Sequence, residues 1–136
     1  MSHSHAVVWI DHHEAHVIHY SLDEVETAVV KPAVPQQHHL HHKRGAMGSG
    51  HDKPDAAYLG KVAAGIADAA EILICGPAGA KLELFRHLQA HDRPVADRVV
   101  GVETVNHPSD GELLRYARKY FTAADRMRGT SATLAH

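Results

Sequence analysis

The 136-residue chain contains a single cysteine, Cys75. An internal disulfide is therefore excluded, and this usage fits a reducing compartment. Aromatic residues make up only 5% of the chain, too few for an extended base-stacking platform. Neither sign of charge dominates. Fourteen Lys+Arg stand against sixteen Asp+Glu, a formal net charge of −2, which disfavours a protein that coats nucleic acid at any sequence. Long apolar runs are missing too. The N-terminal run Ala6–Ile10 has five residues, too short for a signal core or a membrane span. Met1–Ala6 carries no Lys/Arg cluster, so the expected location is the cytoplasm, with no membrane partner. What the chain has in excess is histidine, fifteen residues in all.

The length suits one domain with a real core. The first third reads as β-structure. Ala6–Ile10 is a short β-branched run, Glu14–Ser21 follows with Val17 and Ile18 at its centre, and Val25–Ala33 is stopped by Pro32 and Pro35. Short polar segments between them, Asp11–His13 and Ser21–Glu24, predict tight turns and an antiparallel three-strand meander. Asp52 is placed to cap a following helix, with Pro54 in its first turn. That helix is expected to run to about Ala69 and to bury Leu59, Val62, Ala63 and Ile66.

Strand and helix then alternate. Glu71–Cys75 is a buried strand, and Gly76-Pro77 turns into a helix from about Ala78 to His91, with Leu84, Phe85 and Leu88 inward. Arg98–Val105 is a further strand. Ser109 and Glu112 form a capping box opening the last helix, which buries Leu113, Ala117, Tyr120 and Phe121. The predicted class is α/β, a single domain over 1–121. Its mixed sheet begins with the antiparallel meander and continues through α-β-α-β-α. A flexible tail is expected over 122–136, with Gly129–Thr133.

Residues 34–53 have no periodicity. They hold five histidines, three glycines and three Lys/Arg. A connection of about 20 residues exceeds the usual loop inside a compact domain, where such length is functional or disordered.

The order of elements resembles the middle domain of archaeal–eukaryotic-type release factors and of Pelota, a ribonuclease H-like arrangement. The stretches that carry the resemblance are Ala6–Asp11, Ile72–Pro77 with Lys81, and Val100–Val105 with Asp110. Over roughly 6–121 the chain also resembles a small stand-alone bacterial family labelled translational machinery proteins. In release factors the long loop carries a Gly-Gly-Gln motif that positions water for peptidyl-tRNA hydrolysis. Here Gly45, Gly48 and Gly50 are not adjacent, and Gln36, Gln37 and Gln89 do not follow glycine. The hydrolytic motif is absent. The resemblance implies contact with the translation apparatus and no release activity.

His38, His39, His41, His42 and His51 could ligate zinc or nickel, since neutral imidazole suits both. No cysteine lies nearby to complete a structural zinc pattern, and a solvated loop has the same composition. Lys43, Arg44 and Lys53 face only Asp52, so the segment is positive. Together with the five histidines they are candidate RNA contacts to a phosphate backbone. Gly76 and Lys81, at a strand-to-helix turn, are a candidate anion site; the turn lacks the Gly-Lys-Ser/Thr of a phosphate-binding loop. Asp11 ends the first strand, and an acid there invites a nuclease reading, because ribonuclease H-like enzymes hold two metals on carboxylates. Glu103 and Asp110 are its available partners, and the competing role for Asp11 is to accept backbone N–H bonds in the turn. Cys75 and Trp9 read as core.

Three functions follow from these features. The leading one is a non-catalytic protein associated with the ribosome or structured RNA, monomeric or homodimeric, with no cofactor. The alternative is a histidine-rich metal-binding protein. A phosphodiesterase is third.

Overall fold

The computed structural model describes residues 5–33 and 55–135, with side chains described to Met127. Among the described residues the elements run β1 (His5–Ile10), β2 (Ala15–Tyr20), β3 (Val25–Val30), α1 (Ala56–Ile66), β4 (Glu71–Gly76), α2 (Ala80–His91), α3 (Arg93–Ala96), β5 (Val99–Thr104) and α4 (Asp110–Ala135). The sheet order is β3-β2-β1-β4-β5. β1, β2 and β3 pair antiparallel, while β4 pairs parallel with both β1 and β5. This is the single α/β domain expected from the sequence, meander first and strand-helix alternation after it.

The sheet is covered on both faces, and the alternation of side chains assigns them. Ala6, Val8, Ile10, Ile72 and Ile74 point to one face and pack with Leu59, Val62 and Ile66 of α1 and Leu84 and Leu88 of α2. Val7, Trp9, Leu73 and Cys75 point to the other and pack with Leu113, Ala117 and Phe121 of α4. Burial on both faces explains why β1 and β4 are continuous apolar runs rather than alternating ones. β3, at the sheet edge, is exposed along nearly its whole length.

Several boundaries differ from expectation. α1 is capped by Asp55, whose side chain accepts from Tyr58 N at 3.0 Å; Asp52 and Pro54 lie outside the described residues. Tertiary anchoring of Tyr58, whose hydroxyl donates to the Asp11 carbonyl at 2.9 Å, holds this first turn in place. α1 ends at Ile66 and β3 at Val30, each earlier than predicted. The fully buried stripe of α2 is Ala80, Leu84 and Leu88 at four-residue spacing, so Phe85 is only half-buried. α3, with Pro94 in its first turn, has four residues and leaves no periodic trace in the sequence. The helical backbone of α4 continues past Thr122 to Ala135.

Candidate functional site

The carboxyl ends of the parallel strands, Ile10, Gly76 and Thr104, meet at one pole of the sheet. Ligands of open α/β sheets bind at such ends. Val30 is paired with Ala15 there, so β3 delivers the chain to this pole. The Tyr58 bond to Asp11 brings the first turn of α1 to the same place. Both flanks of segment 34–54 therefore leave the domain here. The candidate RNA contacts His38, His39, His41, His42, Lys43, Arg44, His51 and Lys53, and with them the candidate zinc or nickel ligands, lie outside the described residues.

The turn joining β1 to β2 is closed by Asp11. Its Oδ1 accepts from the backbone N–H of His13 at 2.8 Å and of Glu14 at 2.9 Å, the local role open to aspartate in a turn. His16 stands next to it on β2. Its Nε2 lies 2.9 Å from Glu14 Oε2, and its Nδ1 lies 3.0 Å from Asp110 Oδ1 at the start of α4. Only the imidazolium donates from both nitrogens. Burial lowers the His16 pKa, but hydrogen bonds and charge from the two carboxylates outweigh it, and the value is raised above 6.5.

Further pairs join this pole to the helices. His12 Nε2 is 3.0 Å from Glu83 Oε1 of α2. His107 packs its ring on Trp9 with centroids 4.4 Å apart, its Nε2 4.0 Å from Asp11 Oδ2. The Trp9 indole N–H donates to the carbonyls of Val105 and Asn106 at 3.2 and 2.5 Å. The capping box forms as predicted. Ser109 N donates to Glu112 Oε1 at 2.9 Å and Glu112 N to Ser109 Oγ at 3.1 Å, and these bonds hold the Glu112 carboxyl below its ordinary pKa.

The acids of this pole are matched to partners rather than gathered. Among the described residues Asp11, Glu103 and Asp110 do not come within reach of one ion. Glu103 instead accepts from the Tyr120 hydroxyl at 3.0 Å. The convergent carboxylates that two-metal hydrolysis needs are not assembled by these residues. Cys75 is fully buried, and desolvation, with Glu103 nearby, pushes its thiol up to about 12. It is a core residue, not a nucleophile.

Gly76 and Lys81, the candidate anion site, have local tasks. A Cβ on Gly76 would strike the Ile10 carbonyl oxygen, so glycine is what lets β1 and β4 close at this end. The Lys81 ammonium donates to the Ala78 carbonyl at 2.6 Å.

Sequence reasoning missed a basic strip on α4. Arg118, Lys119, Thr122, Ala123 and Arg126 line an open depression of about 340 Å³. Arg118, Thr122 and Arg126 recur at four-residue spacing and so share one face. The Arg118 guanidinium sits over the Tyr20 ring, 5.4 Å from its centroid, which holds it by cation–π attraction. The signal was available in the spacing, but a helix ended near Thr122 leaves Arg126 off it. At about 1.5 Å per residue, Arg126 lies roughly 24 Å along the helix from Asp110.

No family model and no curated protein matches the sequence. Solved structures do match in fold. Pelota from Archaeoglobus fulgidus superposes with a TM-score of 0.59 at 14% identity, over 88% of this chain and 32% of that one. An archaeal translation termination factor gives 0.55 at 14% identity, over 96% and 41%. Thermoplasma acidophilum Pelota gives 0.54 at 17%, over 81% and 30%. The chain spans about a third of the length of these structures, and its fold is that of a domain found in Pelota and in translation termination factors.

Proposed function

We propose that the chain is a non-catalytic ribosome- or RNA-associated domain of the release-factor type. The observation that carries this reading is the fold shared with Pelota and a termination factor, with segment 34–54 leaving from the carboxyl pole of the sheet. Missing Gly-Gly-Gln, that segment offers charge instead of a hydrolytic glutamine. Lys43, Arg44 and Lys53 carry permanent charge, and five histidines add to it as pH falls. The α4 strip supplies a second cationic surface for the same phosphate backbone.

A binding titration against ribosomes or structured RNA, at two salt concentrations and at about pH 7.5 and about pH 6, tests the reading. Each neutralised phosphate contributes a slope of about −0.7 to −0.9 in log K against log salt. The three loop cations alone give a slope of about −2 to −3. With Arg118, Lys119 and Arg126 engaged as well, it becomes about −4 to −5. Neighbouring phosphate favours the imidazolium, so binding takes up protons and tightens toward acid pH. Glutamine at His38, His39, His41 and His42 removes most of that pH dependence. Affinity unchanged by these replacements at both pH values would remove the loop histidines from the interface.

A further inference from the structure

We propose that His5, Glu71 and Asp125 bind one divalent first-row transition-metal ion of the zinc class, at the pole of the sheet opposite Val30 and Tyr58. The site would stand whether or not the ribosome reading does. His5 opens β1 and Glu71 opens β4, and the two are register partners in the parallel pair. Asp125 comes from α4, four residues after Phe121, which is buried against the sheet, and so on the same face of the helix. One ligand atom from each of the three lies within 4.8 Å of the other two. His5 Nε2 and Glu71 Oε1 are already 3.1 Å apart. A tetrahedral ion with bonds of about 2.0–2.2 Å sets its ligands roughly 3.3–3.6 Å apart. The strand pair is therefore near bonding geometry, and closure falls to the side chain of exposed Asp125.

The surroundings prepare the imidazole. The His5 ring stacks on Tyr20, with centroids 5.2 Å apart and planes 15° apart, and it leans on Phe121 at 4.5 Å. A ligand ring locked by packing loses little freedom on binding. Its side chain and that of Glu71 are 23% and 25% exposed, open to an entering ion. Two carboxylates balance a divalent charge, and one imidazole beside them suits zinc, cobalt or manganese. Soft Cu(I) prefers sulfur, and calcium prefers an all-oxygen shell. Three protein ligands leave a fourth position to water. The Arg118 guanidinium sits over the neighbouring Tyr20 ring. The ion would join β1, β4 and α4 and clamp the helix at Asp125, one residue before Arg126 of its basic strip.

The probe is Zn2+, titrated calorimetrically into the full chain carrying glutamine at His38, His39, His41, His42 and His51, which removes the competing loop imidazoles. One equivalent should bind. At zinc about 100-fold above its Kd, the folded-to-unfolded ratio rises about 100-fold and Tm by roughly 5–10 °C. Amide hydrogen exchange should slow over residues 122–127. Asp125→Asn, at an exposed position, should weaken binding at least tenfold and abolish the Tm and exchange responses, and His5→Gln should do the same. Absence of zinc binding in the loop-substituted chain overturns the proposal. So does a Tm and exchange response that Asp125→Asn leaves intact, a result that decides the matter even if His5→Gln fails to fold.

Discussion

Gly76→Ala and Gly60→Ala add the same methyl group to the chain and should move its stability in opposite directions. At Gly76 the new Cβ meets the carbonyl oxygen and carbon of Ile10. These are backbone atoms of a strand whose side chains are buried on both faces, so no flexible side chain can swing aside. Either β1 and β4 part or the ends of both strands shift. Overpacking costs about 1–3 kcal/mol where neighbours can yield; with backbone on the receiving side, about 3 kcal/mol or more is expected. That is a large share of the ~5–15 kcal/mol typical of a domain, and it corresponds to a Tm drop of roughly 10 °C or more. At Gly60, inside α1, nothing lies within 4 Å of the added Cβ. There alanine gains helix propensity and should stabilise by up to about 1 kcal/mol. Urea unfolding followed by circular dichroism measures both. A Gly76→Ala protein within about 0.5 kcal/mol of the parent would refute the close-approach explanation.

Three more outcomes follow from the pole. The raised pKa of His16 gives stability that is fully present below about 6.5 and is lost as pH rises through the folded value; His16→Ala should flatten the unfolding free energy between about pH 6 and 8, and an unchanged pH profile would mean the imidazolium is not held there. Ser109→Ala removes the cap of α4 and should cost about 1 kcal/mol in chemical denaturation; no measurable cost would show that the box does not form. Cys75, fully buried with its thiol pushed up to about 12, should react with a thiol reagent only as the protein unfolds, and rapid labelling of the native state would contradict its burial.

What could be read in the sequence depended on whether the cause was local. β1 and β4 were legible because burial on both faces makes their residues uniformly apolar, and the α4 cap because Ser109 and Glu112 are three residues apart. Asp11 could be given its turn role from its position alone. The bridge from His16 to Asp110 spans 94 residues of sequence and has no local signature. The same holds for Tyr58, whose hydroxyl fixes the start of α1 by a bond to Asp11. α3 is a single turn, too short for periodicity. The basic strip was lost to one boundary: Gly129–Thr133 has weak helix formers, and ending the helix near Thr122 separated Arg126 from Arg118. His5 and Glu71 become neighbours only once β1 and β4 pair in parallel.

Cosedimentation with ribosomes at low salt, comparing the full chain with a chain lacking residues 36–52, tests the proposed function most directly. Both flanks of that segment are held by the folded pole, so the shortened chain should keep the circular dichroism spectrum of the parent. The full chain should pellet with ribosomes and be released as salt is raised, and the shortened chain should remain largely in the supernatant. A full chain that stays in the supernatant at low salt, or a shortened chain that pellets equally well, would contradict docking through this segment.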